Sequence, residues 1–274
     1  MKKDVEELKS MAKVIRTDII EMLTESGSGH PGGSLSAVEI LTALYFNKMN
    51  IDPSKHRDFD RDRFVLSKGH AAPALYSILA RRGYFDVEEL KTLRKLGSIL
   101  QGHPNMNEVP GVDMSTGSLG QGISAAVGMA LAGKLDKKSY RVYSLLGDGE
   151  LEEGEVWEAA MSAAHYKLDN LTAFIDYNGL QIDGACNDVM TVEPIADKFR
   201  AFNWNVLEID GHNFEQILNA VEEAEKFKGR PTMIVCKTIK GKGVSFMENV
   251  ASWHGTAPNN EQCSIAVREI GGDV

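Results

Sequence analysis

The sequence predicts an α/β fold in which a mostly parallel, doubly wound sheet carries helices on both faces. Short β-rich runs alternate with helical runs from residue 63 onward, and no clear linker or fixed-period repeat divides the chain. Strands that alternate with helices of this length form βαβ units, which build a parallel sheet covered on both sides. We therefore expect a single domain over residues 1–274, with N-terminal helices over about residues 4–48.

The spacing of apolar residues predicts the individual elements. Residues 8–23 have helical spacing, and residues 35–46 are expected to form a second helix with Ser34 or Ser36 near its N-cap. The polar residues 52–63 predict a surface loop. Further strands are expected at 64–66, 140–146, 171–177, 205–209 and 232–238, and further helices at 71–82, 120–133, 155–167 and 214–228. The small residues of the run 120–133 fit tight packing within the domain or an interface between protein chains.

The composition excludes several classes of partner. With 39 acids against 30 bases the chain has a net charge of −9, which argues against nucleic acid and anionic membranes as partners. Cys186, Cys236 and Cys263 have no close pairing in the sequence and fit reduced cytosolic thiols. No stretch has the length and apolarity of a membrane span. We expect a cytoplasmic protein that holds any anionic ligand locally, through a metal, glycine backbone or a few histidines.

The segment GDGELEEG, residues 147–154, points to a ligand site. Ligands of parallel α/β sheets bind beyond the carboxyl ends of the strands, and Asp148 and Asn178 each follow an expected strand. One crossover helix separates them, so both side chains are expected at the same sheet edge. Their oxygens suit magnesium, and Gly147 and Gly149 let backbone N–H groups approach a phosphate. Each motif alone is also a common turn, but the pair, 30 residues apart, predicts a magnesium-bridged diphosphate.

The longer stretch GDGELEEGEVWEAAMSAAHYKLDNLTAFIDYNGLQIDG resembles the thiamine diphosphate motif of transketolases. Five further segments extend the resemblance over nearly the whole chain. These segments are SGHPGGSLS at 28–36, RFVLSKGHAAPALY at 63–76, GHP at 102–104, STGSLGQGIS at 115–124 and GKGVSFMENVASWHGTAP at 241–258. Several separated motifs in family order are far more specific than one short motif. The resemblance implies the thiamine diphosphate-binding fold, in its diphosphate-binding (PP) form.

The resemblance also implies roles for individual residues. It places His70 and His254 near the diphosphate and the reacting centre, while His30 and His103 hydrogen-bond the sugar hydroxyls and assist proton transfer. The implied cofactor-binding residues are His70, Gly117, Ser118, Leu119, Gly147, Asp148, Gly149, Glu153, Asn178 and His254. The implied metal ligands are Asp148, Asn178 and the backbone carbonyl of Leu180. The implied metal is Mg²⁺, which Ca²⁺ or Mn²⁺ can replace.

Other polar residues near these motifs have simpler explanations. His165 lies on the apolar crossover helix and is not assigned to the site, and His212 favours a structural role. Glu153 matches a family glutamate that helps to connect the two active sites of a dimer, although an acid near a helix start is an equally good explanation. Glu150 and Glu152 are expected to be solvated, because additional carboxylates would repel a diphosphate.

By the resemblance, this chain contains only part of an active site. Transketolases activate the cofactor with a glutamate from a second, pyrimidine-binding domain, and this chain ends at Val274, about where the diphosphate-binding domain should end. The chain is therefore expected to be the N-terminal subunit of a split transketolase or an isolated fragment. Ser118, which replaces a common proline, and the segment GKGVSFMENVASWHG favour the first of these two. The expected partner is a C-terminal subunit, in an α2β2 assembly.

The expected activity is the transfer of a two-carbon ketol unit from a ketose phosphate to an aldose acceptor, with thiamine diphosphate and magnesium. One alternative is another thiamine diphosphate enzyme, similar to deoxyxylulose phosphate synthase or to a 2-oxoacid dehydrogenase component. A second alternative is a cofactor-binding module without turnover. The sequence leaves the sugar open between pentose phosphates and modified sugars.

Overall fold

A five-stranded parallel sheet forms the centre of the computed structural model, which describes residues 2–271. Its strands are β1 Arg63–Leu66, β2 Val142–Gly147, β3 Leu171–Tyr177, β6 Asn205–Asp210 and β7 Thr232–Lys237, and a separate antiparallel ribbon consists of β4 Leu180–Gln181 and β5 Gly184–Ala185. The order in the sheet is β1-β2-β3-β7-β6, with every neighbouring pair parallel. The predicted parallel sheet is confirmed.

Helices cover both faces of this sheet. They are α1 Val5–Ser26, α2 Pro31–Ser36, α3 Val38–Ala43, α4 Ala72–Arg82, α5 Gln121–Leu135, α6 Gly154–His165, α7 Cys186–Val189, α8 Ile195–Ala201, α9 Phe214–Lys226 and α10 Asn260–Ile270. One core contains the apolar sides of α1, α3, α4, α9 and α10, and the other contains those of α5, α6 and α8. The predicted doubly wound arrangement is confirmed. No helix within residues 2–271 combines the length and the apolarity that crossing a membrane requires.

The alternation of side chains along β3 shows how the two cores are separated. Phe174 packs into the core of α1 and α4, whereas Ala173 and Ile175 pack into the core of α5 and α6. Successive side chains of a strand point to opposite faces, and all residues of β3 except the last are buried. Burial on both sides favours a mostly apolar strand, which is the pattern of a parallel sheet between two helical layers, and the exceptions in β3 are the buried Thr172 and Asp176.

The second predicted helix starts earlier than expected. The helix α2 begins at Pro31, where a proline has a suitable φ and needs no N–H partner, and the chain continues through α3 into a π-helical turn, Leu44–Lys48. Ser34 and Ser36, expected near the N-cap, lie inside α2, whose N-cap residue is His30, and neither serine provides a capping hydrogen bond. Ser34 Oγ donates to the His30 carbonyl at 2.7 Å, and Ser36 Oγ donates to a distant carboxylate.

The small residues of α5 allow a close approach to the sheet. A Cβ atom on Gly122 would lie 2.5 Å from the Cα atom of Ser67, directly after β1. Ala126 and Ala130 are also buried against the sheet, while Gly128 faces open space. Tight packing within the domain therefore explains one side of this helix. Its N-terminus is held next to the carboxyl ends of β1 and β2, where the polar residues of the chain converge.

We expect Phe174→Ala to lower the free energy of unfolding by about 3–5 kcal/mol, because a buried ring on the central strand is replaced by a cavity. Denaturant unfolding followed by circular dichroism measures this loss. The matched control is Phe59→Ala, whose ring is 81% exposed and whose removal should change stability by less than about 0.5 kcal/mol. Equal losses in the two variants would contradict the assignment of the core.

Candidate functional site

A cavity of about 250 Å³ lies at the carboxyl ends of β2 and β3, the edge at which parallel sheets bind ligands. The predicted site residues that line it are His70, Leu119, Gly147, Asp148, Gly149, Asn178, Leu180 and His254. A larger cleft of about 930 Å³ opens beside β6 and β7, but none of the predicted site residues lines it. The chemistry of the lining therefore identifies the smaller cavity as the candidate site.

Asp148 is one of two buried carboxylates that line this cavity, and the other is Glu150. Asp148 Oδ1 accepts from the Gly149 N–H at 2.9 Å, and its Oδ2 accepts from the Gly179 N–H. Burial, followed by the charge of Asp176, raises the pKa of Asp148 to about 6. Burial therefore makes the ionised form more costly than in water, although it still predominates at pH 7, and a cation beside Asp148 would lower its pKa again.

Asn178 and Leu180 lie next to Asp148 as the sequence predicts. Gly179 between them adopts φ +77°, a conformation that favours glycine and turns the chain so that its N–H reaches Asp148. Asn178 Oδ1 accepts from the Leu180 N–H at 3.1 Å. Within residues 2–271 no three His, Cys, Asp or Glu side chains form a metal cluster. One carboxylate with an amide and a carbonyl oxygen is instead the donor set that fits a partly hydrated Mg²⁺.

Two buried lysines in the cavity were missed by sequence reasoning. Lys68 and Lys240 are 1% and 2% exposed. Lys240 Nζ donates to the Leu180 carbonyl at 3.0 Å and lies 3.1 Å from Nδ1 of His254. Burial, followed by the charge of Lys68, lowers the pKa of Lys240 to about 8. Lys68 follows β1 and Lys240 follows β7, so the sheet-edge rule that identified Asp148 could have identified both lysines.

The fully buried carboxylate of Asp176 connects the surrounding segments. It accepts from Ser36 Oγ, Lys68 Nζ and Thr238 Oγ1, and from Asn178 Nδ2 at 3.4 Å. Burial alone raises the pKa of Asp176, but the charge and hydrogen bond of Lys68 together with the two hydroxyls hold it below its ordinary value. The amide of Asn178 is thereby oriented with its nitrogen toward Asp176 and its oxygen away from it.

Glu150 differs from its prediction. The sequence predicts a solvated side chain, but Glu150 is 2% exposed and accepts from Ser67 Oγ, from the Gly120 N–H at 2.9 Å and from the Gly147 N–H at 3.0 Å. The prediction is wrong because the 3₁₀ turn Gly149–Glu152 directs this side chain inward to the N-terminus of α5. Burial raises the pKa of Glu150 although three donors compensate its charge.

The remaining residues of the segment GDGELEEG lie as follows. Glu152 is exposed and accepts from Gln181 Nε2 at 2.6 Å, so its predicted solvation is confirmed. Glu153 is exposed at the N-cap of α6, where its side chain makes no capping hydrogen bond. The N–H groups of Gly147 and Gly149 both donate to carboxylates of this segment. The roles of these two glycines and of Glu153 toward a cofactor stay predictions.

The four predicted histidines form one cluster. The ring centroid of His30 lies 5.4 Å from those of both His70 and His254, and His70 lies 5.1 Å from His254. His103 is the outermost ring, 6.4 Å from His30. They come from the N-cap of α2, the turn after β1, a long loop and the 3₁₀ turn Ala251–His254. Tertiary structure thus gathers side chains that are far apart in the sequence.

All four imidazoles have lowered pKa values, and burial is the main cause. Burial followed by the charge of Arg94 lowers the pKa of His30 to about 4, and burial followed by Lys240 lowers that of His254 to about 3. Burial and Lys68 lower the pKa of His70, and burial and Arg94 lower that of His103. The cluster is therefore neutral near pH 7 and offers ring nitrogens that can accept protons or hydrogen bonds.

The glycine-rich loop before α5 completes this side of the site. A Cβ atom on Gly117 would lie 3.1 Å from Cδ2 of His103, so the backbone packs directly against that ring. Leu119 lines the cavity, whereas Ser118 is exposed and does not line it. Of the three predicted loop residues, only Leu119 therefore lines the cavity.

His165 and His212, which the sequence analysis did not assign to the site, lie outside the histidine cluster. His165 is exposed at the end of α6. His212 Nδ1 lies 2.9 Å from Glu39 Oε2, and its Nε2 accepts from the Ile239 N–H at 2.9 Å. Glu39 in turn pairs with Arg16 at 2.7 Å. His212 has the structural role that was predicted, because it anchors the segment that carries Lys240.

Comparison with known proteins identifies the family. Residues 7–273 match the family described as transketolase, thiamine diphosphate binding domain. The chain belongs to this family. The family predicted from the motifs is therefore confirmed, and with it thiamine diphosphate as the cofactor that such a domain binds.

Two relatives match this transketolase-family chain along nearly their whole lengths. It is 50% identical over 264 residues to the 6-deoxy-6-sulfo-D-fructose transketolase subunit SqwG of Clostridium sp. (strain MSTE9), covering 96% of each chain. It is 46% identical over 266 residues to one of the subunits of the apulose-4-phosphate transketolase of Phocaeicola vulgatus, covering 97% of this chain and 94% of that protein. The transketolase structure from Campylobacter jejuni superposes with a TM-score of 0.93 at 34% identity, over 99% of this chain but 44% of that chain.

We expect the melting temperature to fall less between pH 7 and pH 5 in His254→Asn than in the unsubstituted protein. The pKa of His254 is about 3 when folded, against an ordinary value of 6.5, so the unfolded state binds more protons as the pH falls below 6.5. The unsubstituted protein therefore loses stability as the pH falls from 6.5 toward the pKa of His254 in the folded state. Thermal unfolding at both pH values measures the difference. His165→Asn, at an exposed position, is the control, and an unchanged pH dependence in His254→Asn would contradict the buried neutral imidazole.

Proposed function

We propose that this chain is the diphosphate-binding, N-terminal subunit of a two-subunit transketolase. Its activity is the transfer of a two-carbon ketol unit from an anionic ketose to an aldose acceptor. The observation that carries the proposal is the convergence of Asp148, Asn178, His70 and His254 on one cavity, with His30 and His103 beside them, in a transketolase-family chain. The near-complete matches to proteins named as transketolase subunits support the two-subunit form.

We propose that the metal is held by Asp148, Asn178 and the Leu180 carbonyl, and that it is Mg²⁺ or, in its place, Ca²⁺ or Mn²⁺. The raised pKa of the buried Asp148 supports a cation beside it. Lys68 and Lys240 place two ammonium groups in the same cavity, and the lowered pKa of Lys240 supports a nearby anion. A diphosphate with its magnesium supplies both charges.

The protein's own residues then serve the sugar. When bound, thiamine diphosphate supplies the nucleophilic carbon that side chains lack. The neutral rings of His30 and His103 lie beside the two histidines of the cavity without lining it. There they hydrogen-bond sugar hydroxyls and assist proton transfer from one of them. His70 and His254 line the cavity itself and orient the reacting groups.

A C-terminal subunit completes the site in this proposal. It provides the glutamate that activates the cofactor, and two copies of each of the two chains assemble as α2β2 in the cytoplasm. The support is comparative, since this chain covers 96% of the Clostridium relative but only 44% of the Campylobacter jejuni transketolase chain. The alternatives among thiamine diphosphate enzymes would use pyruvate or another 2-oxoacid as donor.

We expect Asp148→Asn to raise the Mg²⁺ concentration that half-saturates thiamine diphosphate binding by at least about tenfold. Loss of a residue that only hydrogen-bonds to a metal ligand already weakens metal binding by about that factor. Loss of the one carboxylate ligand is the physical reason. The ligand-dependent rise in melting temperature measures binding without any turnover. Glu152→Gln removes an exposed carboxylate from the same segment and should leave the titration unchanged. Equal titrations for Asp148→Asn and the unsubstituted protein would exclude Asp148 as a ligand.

We expect the isolated chain to show negligible ketol transfer and the chain with its C-terminal subunit to show transfer with Mg²⁺ and thiamine diphosphate. The physical reason is that the activating glutamate belongs to the partner. Product analysis with ketose phosphates, and separately with pyruvate, measures the reaction and distinguishes the alternatives. Full transfer by this chain alone would overturn the two-subunit proposal, and products formed only from pyruvate would overturn the ketol transfer.

A further inference from the structure

A buried group of three side chains, Arg16 of α1, Glu39 of α3 and His212 after β6, lies outside the cavity. Nη2 of Arg16 lies 2.7 Å from Glu39, and Nδ1 of His212 lies 2.9 Å from Glu39 Oε2. The three side chains are 8%, 9% and 13% exposed. One carboxylate thus joins two side chains from distant parts of the chain, and we call this group the buried triad.

The hydrogen bonds fix the protonation state of the buried triad. Nε2 of His212 accepts from the Ile239 N–H at 2.9 Å, so it carries no proton, and the ring proton lies on Nδ1 and is donated to Glu39. Burial raises the pKa of Glu39, but the charge of Arg16 and the hydrogen bonds of His212 and Arg16 outweigh burial and lower that pKa to about 2. The carboxylate is therefore ionised and orients both of its neighbours.

The buried triad holds both ends of one short turn, residues 239–242, which we call the lysine turn. Its first residue, Ile239, donates its N–H to His212, and its last residue, Lys242, accepts from Nε of Arg16 through its backbone carbonyl at 2.9 Å. Both hydrogen bonds are made to backbone atoms, so they fix the path of the chain itself. The position of the lysine turn therefore depends on the buried triad.

Lys240 lies between the two ends of the lysine turn and reaches into the cavity. Its Nζ donates to the Leu180 carbonyl at 3.0 Å and lies 3.1 Å from Nδ1 of His254. The stem of the side chain is closely packed, since a Cβ atom on Gly32 would lie 3.0 Å from its Cγ atom. A stem confined by close packing leaves the ammonium group little freedom of its own. The ammonium group is thus placed in the cavity by the backbone of the lysine turn.

We infer that Arg16, Glu39 and His212 are positioning residues that place the Lys240 ammonium group for binding of the diphosphate. The inference rests on the proposed function and adds to it three side chains that do not line the cavity. A hydrogen bond has a narrow range of distance and angle, so displacement of the lysine turn would weaken the contribution of Lys240 to ligand binding. A role in stability alone would leave the affinity of the folded protein for the cofactor unchanged.

The first test measures the Kd of thiamine diphosphate by calorimetric titration of the complex with its C-terminal subunit, at saturating Mg²⁺. We expect His212→Leu, which removes both ring nitrogens, to raise this Kd by about tenfold, the scale on which residues behind a metal ligand act. His212→Gln keeps an acceptor for the Ile239 N–H and should recover most of the affinity. His165→Leu, at an exposed position, is the matched control and should leave the Kd unchanged. An unchanged Kd in folded His212→Leu would overturn the inference.

A double-mutant cycle shows whether the buried triad acts through Lys240. If His212 acts only by placing the ammonium group, the double variant His212→Leu/Lys240→Met should bind the cofactor no more weakly than Lys240→Met alone. Should His212→Leu fail to fold, Arg16→Lys takes its place in the cycle, since lysine keeps the charge but lacks the Nε donor to the Lys242 carbonyl. Losses that multiply in the double variant indicate a general structural effect and contradict the inference.

A second readout needs neither cofactor nor turnover. Because an ammonium group can only donate, Nδ1 of His254 is the acceptor of the contact with Lys240. In ¹⁵N-histidine-labelled chain, with the His254 signals assigned from His254→Asn, His212→Leu should move the Nδ1 chemical shift toward its value in Lys240→Met. An Nδ1 shift equal to that of the unsubstituted protein would refute the positioning of Lys240. The expected shift change in a protein whose complex binds no thiamine diphosphate would instead refute only the proposed function.

Discussion

The buried ion pair of Lys68 and Asp176 is the constraint on which the rest of the site depends. A buried carboxylate and ammonium lose their hydration, and their attraction compensates this loss only when further hydrogen bonds satisfy the remaining atoms. Asp176 meets this requirement by accepting from Ser36, Thr238 and Asn178 as well. These donors come from α2 and from the segments that follow β3 and β7, so one carboxylate fixes the relative positions of the segments that line the cavity.

The charges of the cavity are the reason for proposing a diphosphate with a divalent cation as its ligand. Asp148 has a raised pKa and Lys240 a lowered one, so both groups are shifted toward their neutral forms. An anion alone would favour charged Lys240 and disfavour charged Asp148, and a cation alone would do the reverse. Only a ligand that brings both signs of charge relieves both groups at once.

The same positive groups also set the state of the histidines. Lys68, Lys240 and Arg94 each add to the effect of burial in holding neighbouring imidazoles neutral. A neutral imidazole can accept a proton from a sugar hydroxyl, whereas an imidazolium cannot. Cations that can attract an anionic ligand therefore also keep the imidazoles in the neutral form, in which a ring nitrogen can accept a hydrogen bond, while the lowered pKa makes each ring a weaker base.

The sequence by itself determined the parallel sheet, both helical layers, and the placement of Asp148 and Asn178 at one edge, because apolar periodicity reports burial and a strand's carboxyl end is a local feature. The four histidines were found through the family motifs, since nothing in their spacing predicts a cluster. Only the tertiary structure decided the environments of Glu150 and Lys68, whose partners Ser67 and Asp176 are 83 and 108 residues away. A polar side chain is buried or solvated according to donors and charges that distant segments bring to it, and local sequence does not contain that information.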